Sequence, residues 1–437
     1  MVPSSLVPMR LHFSLFAAAL LPLAVWSQAP APAGLPPPTV TVTLPQALQA
    51  ARDNLDVALA RRSLAGARAD ITSADRAPFP VLSASVNQID LRNGNGSGNA
   101  WSEQTYDKSV GLDWTWERGD KRALRTRGAE RAADAAQADL DETALQQQLA
   151  ALNSFYALLA AQERLAEVAQ IERSAAELAS AAARRLQAGD LSAQDTARTE
   201  IEAQRARAEL RLAELEQQRA ALQLWQLTAL APAPAQLQAA AGWPALPGAV
   251  PAAHALDERV EARADVRAAR ARAEAAQAAL DGSSAQKQSD ITWGVSYNHY
   301  PGTSTALMAL RMSMPLQWGY GYEGEIGRAS AQLAQARDAL DRTRRLARLE
   351  LQRLLHEVQS TAARASAYEA EILPRARRVA EGAELAYRRG ALSLTDLLDA
   401  RRTLRATVLE AVAARSEHAQ ALGAWQLRSD AAAAGTP

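Results

Sequence analysis

Two halves of this 437-residue chain carry the same succession of patterns about 200 residues apart, and this internal repeat limits its possible folds. The segment Gly189–Ser192 matches Gly390–Ser393 at a spacing of 201 residues. Further on, Trp225 and Trp425 stand 200 residues apart in similar surroundings. A fixed long period indicates that one structural unit occurs twice. Each unit is predicted to contain a short helix, two strands, a very long helix and a second long helix.

The positions of these elements define the predicted domains. The elements lie near 44–76, 79–91, 106–117, 119–187 and 192–230 in the first half, and near 254–281, 290–299, 306–317, 323–389 and 393–430 in the second. The predicted domains are a signal peptide (1–29), a Pro-rich N-terminal spacer (30–43), a first repeat (44–230), a Pro/Ala-rich linker (231–253), a second repeat (254–430) and a disordered tail (431–437).

The N-terminus is typical of a secretory signal peptide. Arg10 precedes an apolar run at 15–21, which is shorter than the ~20 residues of a spanning helix and is followed by small residues. The alternative, a retained anchor helix, is disfavoured by that length and by Pro22. The chain has no cysteine, so it has no disulfide and no lipidated cysteine. We therefore expect an exported protein that is not lipidated.

The four predicted strands alternate apolar and polar residues. The apolar positions include Val110, Leu112, Trp114, Trp116, Ile291, Trp293, Val295, Tyr297, Leu310, Met312 and Met314. Such alternation is typical of a membrane β-strand, although a half-buried strand of a soluble sheet has the same period. Four such strands, in two matching pairs behind a signal peptide, favour the membrane. The aromatic girdle of that barrel is predicted to contain Trp114, Trp116, Trp293 and Tyr297.

Four strands cannot close a barrel, and an open sheet edge does not occur in lipid. Other copies of the chain must therefore complete the sheet, and three copies would supply twelve strands, within the known range for such barrels. The loops at 93–99 and 301–304 are expected to face the cell exterior.

The long helices have the spacing of a coiled coil. Val168, Ile171, Ala175, Leu178 and Ala182 follow one another at steps of three and four residues. A helix of about 65–70 residues is roughly 100 Å long at ~1.5 Å per residue. This length exceeds an ordinary domain and indicates a fibre or a wall.

The segment from Tyr387 to Ala400 is similar to the signature of the outer-membrane efflux protein family, the TolC-like channels, in its Tyr-x-x-Gly and Asp-Leu-Leu-Asp-Ala motifs. Around Gly390 to Leu409 the chain resembles the channels of cobalt–zinc–cadmium, heavy-metal resistance-nodulation-division pumps. The resemblance implies an α+β membrane protein: a homotrimeric 12-stranded transmembrane β-barrel in the outer membrane, continued by a periplasmic α-helical coiled-coil barrel. The implied function is the exit duct of a tripartite efflux system, which conducts heavy-metal cations or drugs from an inner-membrane pump and a periplasmic adaptor.

The resemblance also implies roles for particular residues. The turns at the periplasmic tip, expected to contact the adaptor, contain Gly189, Leu191, Ser192, Gly390, Leu392 and Ser393. Asp396 and Asp399 are expected to form acidic rings in the aperture, and Tyr387 with Asp195 to form a latch between neighbouring helix pairs. Leu392 departs from the family pattern, because a well-known member has an arginine there that reinforces the latch. The alternatives for these groups are simple helix caps and solvated carboxylates.

Other functions remain as alternatives. A duct for type I protein secretion fits the same fold, whereas a periplasmic adaptor has one helical hairpin and a coiled-coil structural protein has no such strands. With 48 basic and 48 acidic residues and no basic patch, nothing indicates a nucleic-acid partner. Without a phosphate loop, a His pair at ligand spacing or a catalytic triad, we expect no enzyme, no cofactor and no metal site.

Overall fold

The computed structural model describes residues 39–99, 103–234, 237–240, 242–246, 256–301 and 303–433. The predicted signal peptide, residues 30–38 of the Pro-rich spacer and residues 434–437 of the predicted tail lie outside them.

The elements occur in the predicted order. The first half contains β1 (Val40–Val42), α1 (Leu44–Arg52), α2 (Leu55–Ala74), β2 (Val81–Asn87), β3 (Asp107–Trp116), α3 (Lys121–Gln187) and α4 (Ala193–Thr228). The second half contains β4 (Leu237–Ala239), α5 (Leu256–Ala262), α6 (Ala264–Ala285), β5 (Ile291–Tyr300), β6 (Ser304–Ser313), α7 (Glu323–Ala367), a π-helical turn (Tyr368–Ile372), α8 (Leu373–Arg388) and α9 (Leu394–Ala433). Helix α3 has 67 residues, about 100 Å at ~1.5 Å per residue.

The two short helices predicted at 44–76 and 254–281 are each two helices. In the first half, α1 ends at Arg52 and Asn54 caps α2, because its side-chain oxygen accepts from the backbone N–H of Val57 at 3.1 Å. The Asn54 amide also donates to Gln147 on α3 at 2.7 Å. Asn54, between the two short helices, therefore also connects α1 and α2 to α3.

The predicted linker and spacer contain a small sheet that the prediction missed. Strands β1 and β4 pair in parallel, with Val40 opposite Leu237. Beyond β4, the indole N–H of Trp243 donates to Glu163 on α3 at 2.8 Å. The composition predicted only a linker here, and hydrogen bonds from the backbone of Ala239 and the side chain of Trp243 attach it to α3.

Strands β2, β3, β5 and β6 form an antiparallel sheet in that order. Its register places Leu82, Leu112, Val295 and Leu310 in one row. Leu82 and Leu310 are 74% and 72% exposed in the single chain, so this face of the sheet has no cover within the described residues. Within the described chain, β2 and β6 each pair along only one edge.

Two strand ends differ from the prediction. Strand β2 ends at Asn87 and not at 91, because Gln88 has a φ of 61° and leaves the extended conformation. Strand β6 ends at Ser313 and not at 317, close to Pro315, which has no N–H for a sheet ladder. The predicted tail is also too long, since α9 continues to Ala433.

The long helix of the second half contains a π-helical turn between α7 and α8. The N–H of Leu373 donates to the carbonyl of Tyr368, five residues earlier. Pro374 lies at the start of α8, and its ring would crowd the carbonyl four residues earlier in a regular helix. The wider π turn accommodates this proline, and the hydroxyl of Tyr368 donates to Glu410 on α9 at 2.9 Å.

The helical part buries two apolar clusters rich in alanine. The first contains Phe155 and Leu224, with Trp225 packed against it. The second contains Leu351 and Trp425, which is 3% exposed. The repeated tryptophans therefore pack in the helical region. Among the described residues, no helix is both long enough and apolar enough to cross a membrane.

A buried arginine joins three helices near these clusters. Arg428 on α9 is 5% exposed and donates to both carboxylate oxygens of Glu142 on α3 at 2.9 Å. Its Nε lies 3.3 Å from Glu350 on α7. Glu350 also accepts from the buried Arg263 at 2.7 Å. The carboxylates of Glu142, Glu350 and Asp265 therefore meet two guanidinium groups that are both buried.

We expect Arg428→Ala to lower the free energy of unfolding by about 3 kcal/mol, because Glu142, which is only 21% exposed, loses the guanidinium nitrogen that both of its carboxylate oxygens contact. Arg353→Ala is the matched control, since Arg353 pairs with Glu357 at the surface and should change stability by less than ~0.5 kcal/mol. Thermal unfolding followed by circular dichroism measures both. Equal losses for the two variants would contradict the proposed role of Arg428.

Candidate gate at the helix–helix turns

Each long-helix pair ends in a glycine turn of the same geometry. Gly189 has a φ of 81° and Gly390 a φ of 73°, a conformation that glycine adopts without steric cost. At the first turn, the N–H of Asp190 donates to the carbonyl of Arg185 at 2.8 Å, and at the second, Ala391 repeats this bond at 2.9 Å. These are Schellman caps, which satisfy the last carbonyls of α3 and α8.

The helix that follows each turn begins with the same side-chain cap. The hydroxyl of Ser192 accepts from the N–H of Asp195 at 3.0 Å and donates to its carboxylate at 2.8 Å. Ser393 and Asp396 form the equivalent bonds at 3.2 and 2.7 Å. Leu191 and Leu392 are half-buried between glycine and serine at their respective turns. The two tips therefore share a local structure as well as a local sequence.

Within one chain, the two predicted latch residues form hydrogen bonds to different residues. The hydroxyl of Tyr387 accepts a hydrogen bond from Arg185 at 3.5 Å, while Asp195 bonds to Ser192. Among the described residues, no hydrogen bond joins Tyr387 to Asp195. Their contact remains a prediction that concerns neighbouring helix pairs.

The two carboxylates predicted to line the aperture have different bonding partners. Both Asp396 and Asp399 are exposed on α9, but Asp396 is engaged in the cap with Ser393. Asp399 is 64% exposed and lies 3.4 Å from the guanidinium of Arg402. Asp396 is thus bonded to the capping serine, whereas Asp399 faces an arginine of its own helix.

Arginines that the sequence analysis did not single out connect the two helix pairs. Arg198 on α4 donates to Thr395 on α9 at 3.2 Å. Higher up, Arg402 forms an ion pair with Glu202, and this hydrogen bond raises the pKa of Arg402. Glu202 and Arg402 stand 200 residues apart, close to the spacing of the repeat. A search for opposite charges about one repeat length apart could have suggested this pair.

Above the tips, α3, α4, α8 and α9 enclose a cavity of about 270 Å³. Leu178, Leu398 and Val408 line it with apolar groups, and Glu384 and Arg401 lie at its polar rim. Partial burial opposes the charge of Glu384, but bonds from Arg388 and attraction to Arg401 lower the pKa of its carboxyl. In the described chain, no group of three or more His, Asp and Glu side chains could hold a metal ion.

The family model for the outer membrane efflux protein matches residues 44–230 and 255–426. The chain belongs to this family. Its members are transport ducts and not enzymes, and they are outer-membrane channels with a periplasmic helical part. The predicted TolC-like efflux channel is thereby confirmed.

Individual relatives agree with this assignment. The cobalt-zinc-cadmium resistance protein CzcC of Cupriavidus metallidurans is 28% identical over 369 residues, which cover 83% of this chain and 84% of CzcC. The outer membrane protein VceC of Vibrio cholerae is 19% identical, with a TM-score of 0.71 over 88% of this chain and 95% of VceC. The CmeC outer membrane channel of Campylobacter jejuni is 15% identical, with a TM-score of 0.74 over 90% and 85%. These two structures show the fold.

We expect Gly390→Ala to destabilise the tip by roughly 1–2 kcal/mol, because an L-residue there must adopt a left-handed conformation. Gly382→Ala in α8 is the control, and it should stabilise the helix by up to about 1 kcal/mol. Neither glycine has a heavy atom within 4 Å of the position of an added Cβ, so backbone conformation alone separates the variants. Hydrogen exchange of the amides in 383–397 measures both, and protection that changes in the same direction would contradict the assignment.

Proposed function

We propose that three copies of this chain form an outer-membrane exit duct for a tripartite efflux system, with a 12-stranded barrel in the membrane and a helical tunnel in the periplasm. The observation that carries the proposal is the four-stranded sheet. One of its faces is apolar and exposed, and its two outer strands each have one unpaired edge in the described chain. Lipid would cover the face, and neighbouring copies would pair the edges.

Strand directions are compatible with closure. Strands β2 and β6 run antiparallel to each other, because three antiparallel pairings separate them. Placing β6 of one copy beside β2 of the next therefore continues the antiparallel pattern. Three copies would form a closed twelve-stranded sheet with no free edge.

The long helices support contacts between copies as well. Helix α4 exposes Ile201, Leu212, Leu215 and Leu222, which are spaced at 11, 3 and 7 residues. These separations fit the heptad pattern of a coiled-coil seam. We infer that this seam packs on a helix of a neighbouring copy and thereby closes the tunnel wall.

The glycine turns would form the lower gate of this duct and contact the periplasmic adaptor. In the trimer, Asp399, with Asp396 close by, would present acidic rings that concentrate cations in a narrow aperture. Tyr387 and Asp195 would form the latch. Leu392 offers no polar reinforcement, and the ion pair between Arg402 and Glu202 is a candidate substitute, because it holds the two hairpins of one chain together.

The similarity to CzcC supports cobalt, zinc and cadmium cations as the cargo, delivered by an inner-membrane pump of the resistance-nodulation-division type. A passive duct needs no tight metal site, because tight binding would slow release. The predicted signal peptide would export the chain, which, without cysteine, cannot carry a lipid on that residue.

The trimer can be tested by cross-linking, because the chain has no native cysteine. A cysteine at Ser83 in β2, combined in turn with cysteines along β6, is expected to link neighbouring copies into a ladder that ends at the trimer. The matched control combines the same β6 positions with a cysteine at Ser109 in β3, an interior strand, and should give no link between copies. A protein that remains wholly soluble on membrane fractionation, or a ladder with the control alone, would refute the duct.

The latch can be tested in planar bilayers. Tyr387→Phe combined with Asp195→Ala is expected to raise single-channel conductance, because a charge-assisted hydrogen bond that closes the aperture is lost. Tyr368→Phe is the control, since its hydroxyl bonds to Glu410 about 30 Å along the helix from the tip. Unchanged conductance in the double variant would eliminate the latch.

A further inference from the structure

An ion pair crosses one strand on the polar face of the sheet. Asp113 on β3 and Arg311 on β6 are not on adjacent strands, because β5 lies between them. Their side chains nevertheless meet, with Nη2 of Arg311 2.5 Å from Oδ1 of Asp113. The residue of β5 in the same row is Gly294.

Gly294 makes this bridge possible. A Cβ at this position would lie 2.1 Å from Oδ1 of Asp113 and 3.2 Å from Nη2 of Arg311. Any side chain would therefore occupy the space through which the two charges meet. The backbone of Gly294 belongs to the regular ladder, so the absence of a side chain, and not a special backbone conformation, is what the site requires.

The bridge lies on the face opposite the exposed apolar one. Asp113 alternates along β3 with Leu112 and Trp114, which belong to the apolar face. The neighbouring rows on the polar face have small or hydroxyl groups: Ser83, Gly111 and Ser296 in one, and Thr115, Thr292 and Ser313 in the other. Among these described rows, Asp113 and Arg311 are the charged side chains.

We propose that the Asp113–Arg311 bridge keeps the duct wall neutral at its own height in the barrel, and so determines whether cations and anions pass this level alike. The inference rests on the proposed trimer, in which the polar face lines the lumen and three bridges stand at one height. A paired carboxylate and guanidinium leave little field in the pore, whereas an unpaired charge in a confined channel changes the local ion concentration. Arg311 is 65% exposed, so its charge would reach permeating ions once unpaired.

The test is the potassium-to-chloride permeability ratio of the full trimer in planar bilayers under a potassium chloride gradient. Asp113→Asn, which leaves Arg311 unpaired, is expected to lower the ratio at least about two-fold, and Arg311→Gln to raise it by a similar factor. The double variant should return to the wild-type ratio. The control Ser296→Ala changes a neutral side chain in the adjacent row and should leave the ratio unchanged.

Two further variants keep the inference testable if the single variants misfold. The swap of Asp113→Arg with Arg311→Asp restores a pair and is expected to keep the wild-type ratio, while Gly294→Ala should lower the heat stability of the trimer by forcing the pair apart. Wild-type ratios in both single variants, or no loss of heat stability in Gly294→Ala, would overturn the inference. A wild-type protein that inserts no channels would instead refute the duct itself.

Discussion

Backbone hydrogen bonding at the edges of the four-stranded sheet is the constraint on which the rest of the structure depends. A strand in lipid cannot leave its N–H and C=O groups unpaired, and β2 and β6 each have one open edge in the described chain. The requirement for partner chains follows from this alone. In the proposed trimer, the long helices would continue the wall of the barrel, and the exposed apolar residues of α4 would pack on a neighbouring copy.

The repeat has an energetic consequence at the junctions between helices. Opposite charges about one repeat length apart, such as Glu202 on α4 and Arg402 on α9, form ion pairs between the two halves. Deeper in the helical part, Arg428 and Arg263 share Glu350 and hold α7 against α9 and α6. These ion pairs help to orient the helices relative to one another. They do so in a region where alanine allows close packing but buries little apolar area.

Periodicity and the repeat predicted most of the fold, because each long element has a pattern that only one secondary structure satisfies. The pairing of β1 with β4 could not be predicted, since each has three residues and its partner is nearly 200 residues away. At the candidate gate, the sequence identified the glycines and serines through their spacing. It did not identify the bond of Asp396 to Ser393, nor Arg185 as the partner of Tyr387, because both depend on side-chain directions at the turns.

The π-helical turn at Tyr368–Ile372 has a consequence for the phase of the helix surface. A turn with one additional residue rotates everything below it by about 100° relative to a regular helix. Helix α7 packs on α6 and α9, while α8, which continues it, packs on α9 near the tip. The continuous helix formed by α7, the π-helical turn and α8 can therefore present different faces to the helices packed against it above and below the turn. Deleting a single residue there would turn the lower seam away from α9 without shortening the rod appreciably.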